Sequence, residues 1–339
     1  MNRKHFLASL AATSVLLPPF KALAKTVDSK NSSFKIPQYL KSGDNIGITS
    51  PAGFITVAEI QPAVLQMQSW GFNVLVGSTI GKRDFTFGGS DDERLADLQE
   101  MLDNDDIKAI MCARGGYGLV RIIDRLDFSK FKKNPKWIIG FSDVTVLHCH
   151  LAKNYGIASI HSKMCNSFPS DWATAEPIQV ETILSIKNSL LGQQMTYNAA
   201  ANSNNRLGKT NGILVGGNLS IIETLAGSDS DLDTKDKILF IEDTGEYLYS
   251  IDRMLWNLKR SGKLKNLAGL IIGGFKVKPD DEGEEFGKTV YEIVIEKIKE
   301  YRYPVAFDFP VGHQRNNFAL RCGLNHTLDV TDAGSVLTV

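Results

Sequence analysis

Short apolar runs alternate with amphipathic segments through most of the chain, and this alternation restricts the fold more than any other feature. In the first cycle an apolar run at residues 45–49 precedes a helical pattern at 59–70, and a second run follows at 72–76. Strands that alternate with helical crossovers are typical of a parallel sheet with helices on its faces. The sequence therefore predicts an α/β fold, and its 339 residues are enough for two domains.

The remaining predicted elements continue this alternation. Ser90 and Glu93 have the spacing of a capping box, so a helix is predicted over 91–102. In the first half we also predict strands at 107–113, 137–140 and 156–162 and helices at 119–126, 143–153 and 169–191. In the second half we predict a strand that meets a helix within 212–219, strands at 237–241, 267–275 and 304–310, helices at 249–260 and 289–301, and edge strands at 328–330 and 335–339.

The domain boundary is predicted from one polar stretch. Residues 198–205, rich in Asn and Ala, have the composition of a linker. We therefore predict an N-terminal α/β domain over 38–166, a helix and linker over 167–207, and a C-terminal domain over 208–339. From the alternation alone, we predict that the C-terminal domain is a second α/β unit.

The N-terminus has the features of an export signal. Arg3 and Lys4 precede an apolar run at 7–17, and Ala22-Leu23-Ala24 matches a cleavage site. Residues 1–24 are therefore predicted to be a signal peptide, and the run is too short for a stable membrane span. The polar residues 25–37 are predicted to be a disordered leader, and the mature protein is expected outside the cytoplasm, in the periplasm.

Composition and motifs disfavour several classes of function. Lys plus Arg and Asp plus Glu number 38 each, so the net charge does not indicate nucleic acid or an anionic membrane as a partner. The loop at 50–53 lacks the glycine pattern of a dinucleotide site. His148 and His150 are two residues apart on a predicted helix, so we expect one to be packed and the other exposed rather than a metal site. No cofactor and no metal is predicted.

The four cysteines give a weaker signal. Cys112 and Cys149 lie within apolar patterns, where buried free thiols are the usual state. An exported protein could still pair some of its cysteines, so disulfide formation stays open at this stage.

Ser142 follows the buried strand predicted at 137–140 and stands at the start of a predicted helix. A serine on a sharp turn from strand to helix is the usual position of a nucleophile, with backbone N–H groups nearby. Serine is also a common helix cap, and the local sequence lacks the full G-x-S-x-G pattern. Both roles are compatible with this stretch.

A glycine-rich turn, Arg114-Gly115-Gly116-Tyr117-Gly118, follows the strand predicted at 107–113. It can be a tight turn that needs positive φ angles. Its exposed N–H groups, next to a neighbouring strand end, can also bind an anion or form an oxyanion hole.

Three kinds of side chain follow predicted strand ends, where open α/β sheets place their sites. They are Ser142, the acidic pair Glu242 and Asp243, and His313. A serine, an acid and a histidine can activate a hydroxyl and orient its base. Each has a structural alternative: Glu242 as a cap or salt bridge, His313 as a bonded loop residue, and Asp143 rather than Ser142 as the important group.

Six motifs, spread from about residue 38 to the C-terminus, together resemble the LD-carboxypeptidase family. They are Ser50-Pro51-Ala52, Ala113-Arg114-Gly115-Gly116-Tyr117-Gly118, Ile139-Gly140-Phe141-Ser142-Asp143, Gly216-Gly217-Asn218-Leu219, Phe240-Ile241-Glu242-Asp243 and Gly312-His313. Members of this family are serine peptidases of bacterial murein recycling, and microcin-immunity peptidases also belong to it. The family fold is a flavodoxin- or Rossmann-like parallel-sheet domain followed by a mixed α/β domain with a β-barrel-like sheet, usually in a homodimer.

The resemblance also implies roles for individual residues. Ser142 is expected to be the nucleophile, Glu242 the acid and His313 the base, with Glu246 as a rival for the acid. The N–H groups of Gly116 and Asp143 are expected to form the oxyanion hole. The candidate residues for substrate binding are Arg114, Tyr117, Asn218 and Arg315. A carboxypeptidase also needs a cation for the free terminal carboxylate of its substrate, and Arg114 and Arg315 are the candidates for it.

The predicted function is a serine carboxypeptidase that cleaves the bond between an L-centre diamino acid and the terminal D-alanine of a murein tetrapeptide. Two alternatives stay open: a peptidase for microcin-like acyl-sulfamoyl peptides, and an exported protein that binds a peptide without chemistry. Recycling members of the family are typically cytoplasmic, whereas residues 1–24 predict export.

Overall fold

A six-stranded sheet organises the first half of the computed structural model, which describes residues 34–339. Its parallel strands are β1 (Asn45–Thr49), β2 (Asn73–Val76), β3 (Ile107–Cys112), β4 (Trp137–Gly140) and β5 (Ser159–His161). They lie in the order β2-β1-β3-β4-β5, which is the flavodoxin-like order. A strand from the second half, β11 (Leu320–Cys322), extends the sheet antiparallel to β5. The predicted parallel-sheet fold of the first half is confirmed.

Helices cover this sheet as the alternation predicts. They are α1 (Val57–Ser69), α2 (Asp91–Asp103), α3 (Ser129–Lys133), α4 (Thr145–Tyr155) and α5 (Pro177–Leu190). The predicted capping box begins α2: Ser90 Oγ accepts from Glu93 N at 3.2 Å, and Ser90 N donates to Glu93 Oε2 at 2.9 Å. Leu98 and Leu102 are buried under it, as expected for an amphipathic helix on a sheet.

A seven-stranded mixed sheet organises the second half. Its strands are β6 (Thr196–Ala200), β7 (Gly208–Asn218), β8 (Lys237–Glu246), β9 (Gly269–Val277), β10 (Val305–Ala306), β12 (Asn325–Thr331) and β13 (Gly334–Thr338). They lie in the order β10-β9-β8-β7-β12-β13-β6, with β7 to β10 parallel and β12, β13 and β6 antiparallel. The helices of this half are α6 (Leu219–Thr224), α7 (Leu248–Arg260) and α8 (Val290–Ile298).

One backbone bridge brings the two ends of the second sheet together. Arg206, just after the edge strand β6, exchanges two hydrogen bonds with Val305 of the opposite edge strand β10, at 2.9 and 3.0 Å. The sheet therefore curls toward closure, which agrees with the barrel-like sheet that the resemblance implies and not with a second plain α/β unit.

The two halves are interlocked, and the described residues, 34–339, form one compact unit. Strand β11 completes the first sheet although it lies in the predicted C-terminal domain. One apolar core contains Ile110 and Leu147 from the first half with Val215 and Leu255 from the second. Among residues 34–339, no helix combines the length and apolarity needed to cross a membrane.

Part of the predicted leader is paired with the first sheet. Lys35 N donates to Gly156 O at 2.6 Å, and Ala158 N donates to Lys35 O at 3.0 Å. Residues 34–37 are therefore structured, contrary to the prediction for 25–37. The signal peptide predicted at 1–24 and the leader residues 25–33 lie outside the described residues.

Two predictions for the second half are wrong because they did not include the pairing of strand β6 with β13. The linker predicted at 198–205 includes part of β6, which pairs with β13 and buries Tyr197. Polar residues on its outer face gave this strand the composition of a linker. The predicted edge strands at 328–330 and 335–339 correspond to β12 and β13, which lie inside the sheet because β6 takes the edge.

Three other predicted elements are shorter or differently built. The helix predicted at 119–126 is two 3-10 turns, Leu119–Arg121 and Ile123–Arg125, in a segment whose β-branched residues favour a helix weakly. The strand predicted at 304–310 contains only Val305–Ala306, because Asp308 adopts a φ of 55° that ends the extended backbone. The helix predicted from residue 169 begins at Pro177.

Candidate active site

Three loops meet at the carboxyl edge of the first sheet, where the strand-end rule predicts a site. They follow β1, β3 and β4. Gly53 N, in the first loop, donates to Gly115 O, in the second, at 3.0 Å. Ser142 lies in the third loop and is half-buried.

Ser142 occupies a strained turn between strand and helix. Its φ is 62°, in the left-handed region that non-glycine residues rarely adopt. It begins a 3-10 turn, Ser142–Val144, that leads into α4, and its hydroxyl caps neither element. Such strain costs on the order of 1–3 kcal/mol and is found at functional sites. The backbone therefore has the form of a nucleophile turn, and the capping role is not observed.

The glycine-rich turn after β3 lies directly against Ser142. A Cβ atom on Gly115 would lie 2.9 Å from Ser142 Cβ and 3.1 Å from its Oγ, so only glycine fits there. The sequence places Gly115 in this turn but indicates a role only for Gly116. Within the described residues, neither Gly116 N nor Asp143 N donates a hydrogen bond. Gly116 is exposed and Asp143 is buried, and neither N–H group is satisfied by another group of the described residues.

Asp143 anchors this turn through its side chain. Its buried carboxylate accepts a hydrogen bond from Leu119 N at 2.9 Å. Burial raises the pKa of Asp143 to about 6, against the opposing effects of the Leu119 N–H, the Arg94 charge and the Gly118 N–H. The carboxylate therefore fixes the turn after β3 relative to the serine loop.

The buried Glu242 and the half-buried His313 form an acid–base pair. His313 Nδ1 lies 2.6 Å from Glu242 Oε2, and His313 N donates to the same oxygen at 3.1 Å. Glu242 is fully buried within β8, which runs on to Glu246 rather than ending at residue 241 as predicted. The register of β8 with β9 shifts next to Glu242, and such irregularities are common beside active sites.

The ring of His313 lies next to the serine loop. Its centroid is 4.7 Å from that of Phe141, the residue before Ser142. Within residues 34–339 the structure contains no hydrogen bond between the Ser142 hydroxyl and the His313 ring. In free enzymes the catalytic hydrogen bond is often long, and it tightens when substrate binds.

The other acidic candidates contact different groups. Glu246 Oε2 accepts from Ser250 Oγ at 2.8 Å. Asp243 accepts from Ser220 N at 2.8 Å and from Asn218 Nδ2 at 3.2 Å, and burial raises its pKa to about 6. Of these three acids, Glu242 is therefore the one that contacts His313.

The four candidate substrate-binding residues have different surroundings. Arg114 is exposed, and its Nη1 donates to Phe54 O at 3.1 Å. Tyr117 is exposed beside Phe87, with ring centroids 5.9 Å apart. Arg315 is exposed and ion-paired with Glu176. Asn218 is buried and caps α6 through Ile221 N, so a contact with substrate has to compete with this bond.

Lys163 is a second residue that the sequence analysis missed. It lies two residues after β5, at the same sheet edge as Ser142, and its Nζ donates to Gln314 O at 2.6 Å. Nζ also lies 5.5 Å from the centroid of the Phe141 ring. The strand-end rule could have found it, because β5 ends at that edge like β4.

The histidines of α4 are both buried, so our expectation of one exposed ring is wrong. His148 contacts Ser159 Oγ at 2.8 Å and Gly140 O at 2.9 Å, and His150 contacts Ser230 Oγ at 2.9 Å. Ser230 lies in the second half of the chain, which covers the face of α4 that was expected to meet solvent. In the described part of the chain, no three His, Cys, Asp or Glu side chains are grouped as metal ligands.

The four cysteines are buried free thiols. This confirms the prediction for Cys112 and Cys149. Burial raises the pKa of both thiols, so they have little of the thiolate character that a reactive cysteine needs.

Comparison with known proteins gives matches over both halves. The LD-carboxypeptidase N-terminal domain family matches residues 46–162, and the LD-carboxypeptidase C-terminal domain family matches residues 211–328. A probable murein peptide carboxypeptidase of Bacillus subtilis is 32% identical over 303 residues, covering 89% of this chain and 93% of that protein.

Two solved structures are similar over nearly their whole length. The muramoyltetrapeptide carboxypeptidase of Oxalobacter formigenes is 28% identical with a TM-score of 0.76, covering 87% of this chain and 98% of that one. The microcin C7 self-immunity protein MccF, in complex with aspartyl sulfamoyl adenosine, is 25% identical with a TM-score of 0.77, covering 90% and 98%.

Proposed function

The chain belongs to the LD-carboxypeptidase family, and we propose that it releases D-alanine from murein tetrapeptides through a serine nucleophile. It is a hydrolase of the carboxypeptidase class. The scissile bond in this proposal joins the L-centre of a diamino acid to the terminal D-alanine. The roles of Ser142, His313 and Glu242 belong to the proposal and are supported by the geometry of the site.

The proposed first step forms an acyl-enzyme. His313 takes the proton of the Ser142 hydroxyl as its oxygen attacks the scissile carbonyl, and the N–H groups of Gly116 and Asp143 stabilise the oxyanion. The C–N bond then breaks, and the imidazolium gives its proton to the departing amine of D-alanine. Water, deprotonated by His313, hydrolyses the ester and restores the serine.

The observation that carries this proposal is the 2.6 Å contact between His313 Nδ1 and the buried Glu242. A carboxylate that accepts the Nδ1 proton leaves Nε2 as the nitrogen that can accept another. It also stabilises the imidazolium that forms when the serine loses its proton. The same loop places the ring beside Phe141, next to the nucleophile.

The test compares Ser142→Ala with Ser69→Ala. Ser69 is exposed at the end of α1, and because α1 runs back from the carboxyl edge, it lies toward the opposite edge of the sheet. With folding checked by circular dichroism, D-alanine release from a murein tetrapeptide should fall on the order of 10⁴-fold or more in Ser142→Ala. Ser69→Ala should retain it. Undiminished release by Ser142→Ala would sink the proposal.

A second candidate is cleavage of acyl-sulfamoyl nucleosides, and the similarity to MccF in complex with aspartyl sulfamoyl adenosine favours it. The murein peptide ranks first because the more identical relatives carry carboxypeptidase names. Comparing kcat/KM for a murein tetrapeptide and for aspartyl sulfamoyl adenosine separates them. The proposal expects the tetrapeptide to be the better substrate, and the opposite order contradicts it.

The proposed location is outside the cytoplasm, on the evidence of the signal-like residues 1–24. Mass spectrometry of the protein from a periplasmic fraction should then show a mature N-terminus near Lys25. Recovery of the intact chain from the cytoplasm contradicts this location.

The protein is also proposed to be a homodimer, and this proposal rests on the family resemblance. A monomer mass in light scattering contradicts it.

A further inference from the structure

A pocket of about 400 Å³ with several charged and polar residues in its lining lies beside the proposed site. Its lining includes Lys163, Ser167, Thr174, Glu176, Gln179 and Arg315. Lys163 follows β5 at the edge where Ser142 follows β4, and Arg315 lies two residues after His313. The pocket therefore adjoins the loop that carries the proposed base.

Lys163 directs its ammonium toward that loop. Nζ donates to Gln314 O, one residue after His313, and lies 5.5 Å from the centroid of the Phe141 ring. The centroid of the His313 ring is 4.7 Å from that of the same phenylalanine. Both groups therefore contact the phenylalanine that precedes the nucleophile.

The positive charge of the pocket resides mainly on Lys163. Arg315 and Glu176 form an ion pair in which both side chains are more than half exposed, so their charges largely cancel. In the part of the chain that the structure describes, no carboxylate lies within 4.0 Å of Lys163 Nζ. The lining therefore has one cation more than it has anions.

The environment of Lys163 makes a carboxylate partner favourable. Burial lowers its pKa to about 8, and the like charge of Lys276 adds to this effect while the Glu242 carboxylate opposes it. An ammonium that is partly removed from water and bonded to a neutral carbonyl gains further stabilisation from an anion.

We propose that Lys163 binds the free carboxylate of the terminal D-alanine and thereby selects peptides with an unblocked C-terminus. This inference rests on the proposed function. The departing amine must lie near His313, which protonates it. In D-alanine the carboxylate is attached to the same Cα as that amine, so its partner must also lie near His313. Lys163 meets this requirement through its bond to the next residue of the loop. Arg315 does not replace it because its charge is paired with Glu176.

The experiment compares two substrates and four enzymes. The substrates are a murein tetrapeptide ending in D-alanine and the same peptide ending in D-alanine amide, which lacks the carboxylate charge. The enzymes are the wild type, Lys163→Met, Lys163→Arg and Arg315→Met. The readout is the ratio of kcat/KM for the acid to that for the amide, so any disturbance of the His313 loop that affects both peptides cancels.

The wild type should favour the acid by about 10- to 100-fold, the range of a charge-assisted hydrogen bond. Lys163→Met should reduce this preference to less than about threefold, mainly through KM for the acid, and Lys163→Arg should restore part of it. Arg315→Met should keep most of the preference. If Lys163→Met keeps the preference for the acid, Lys163 is not the partner of the carboxylate. The assignment to Lys163 is also overturned if only Arg315→Met abolishes that preference.

A binding measurement separates this inference from the proposed function. Calorimetry of Ser142→Ala and of Ser142→Ala with Lys163→Met measures the affinity for both peptides without turnover. If the wild type cleaves neither peptide, the proposed function fails. A preference for the acid that disappears with Lys163→Met still supports the recognition role, and equal affinity of Ser142→Ala for acid and amide overturns it.

Discussion

Two glycine-rich segments, one in each half of the molecule, differ in what faces their glycines. The first segment, 114–118, is the turn that follows β3, and the second, 216–218, is the end of strand β7, directly before α6. A buried aspartate holds the start of the next element in each case. Asp143 Oδ2 accepts from Leu119 N at 2.9 Å after the first segment, and Asp243 Oδ2 accepts from Ser220 N at 2.8 Å after the second.

The two segments differ in whether their glycines can be reached by a ligand. Gly115 lies against Ser142, and the neighbouring Gly116 is exposed with its N–H free of partners in the described residues. In the second segment a Cβ on Gly216 would lie 1.9 Å from Phe240 O, and one on Gly217 would lie 2.6 Å from the Thr145 side chain. Glycines before a helical element can therefore serve close packing or an approach to a reacting group, and sequence alone does not separate these uses.

The largest expected effect is on stability, in the second glycine-rich segment, 216–218. Gly216→Ala should lower the free energy of unfolding by more than about 4 kcal/mol, because the new Cβ overlaps a backbone oxygen. Gly227→Ala is the matched control: Gly227 also has a positive φ but has no atom near the added Cβ, so it should cost about 1 kcal/mol. Urea denaturation measures both. Equal losses contradict the packing role of Gly216.

The next effect is on activity, in the first turn. Gly115→Ala places a Cβ 3.1 Å from Ser142 Oγ and should displace the hydroxyl. Because misplacing a reacting group by about 1 Å can cost 10²-fold, kcat/KM for the tetrapeptide should fall about 100-fold. The unfolding free energy should fall by about 1–3 kcal/mol, the usual cost of an overpacked side chain, because the new Cβ also lies 3.3 Å from Met164 Cε. Full activity in Gly115→Ala contradicts the proposal that Gly115 is a glycine because Ser142 lies against it.

The smallest effect concerns the aspartate of the first turn and depends on pH. The pKa of Asp143 is raised from 3.8 to about 6, so the folded state binds more protons than the unfolded state between these values. The free energy of unfolding should therefore fall as pH rises from about 4 to about 6, and the penalty, about 3 kcal/mol at most, is fully present above that range.

Asp143→Asn removes this titration and keeps an oxygen that can accept from Leu119 N. The unfolding free energy of the variant, minus that of the wild type, should increase between pH 4 and pH 7 when measured by urea denaturation. A difference that stays constant across this range contradicts the raised pKa of Asp143.

The sequence predicts the parts of this fold that depend on local pattern. The capping box at Ser90 and the strands at 45–49 and 137–140 are confirmed because apolar periodicity and capping are short-range properties. Strand β6 is missed because its stability comes from pairing with β13, which is distant in sequence.

The candidate site shows the same division. Ser142, Glu242 and His313 can be named as candidates because each follows a predicted strand and occurs in a motif that resembles a known family. In the structure only Ser142 directly follows the end of its strand, whereas Glu242 lies within β8 and His313 lies well after β10. Lys163 is missed because its role depends on where a long flexible side chain reaches, and Gly115 because its role depends on the approach of a separate loop. Neither property leaves a pattern in the neighbouring residues.

The His313–Glu242 pair is proposed to activate Ser142 as a nucleophile. The direct measurement is the rate of covalent labelling by a serine-reactive phosphonate, with the modified residue identified by peptide mass spectrometry. The wild type should carry the adduct on Ser142, and His313→Ala should slow labelling on the order of 10³-fold or more. An adduct on another residue, or equally fast labelling of His313→Ala, contradicts the proposed activation of Ser142.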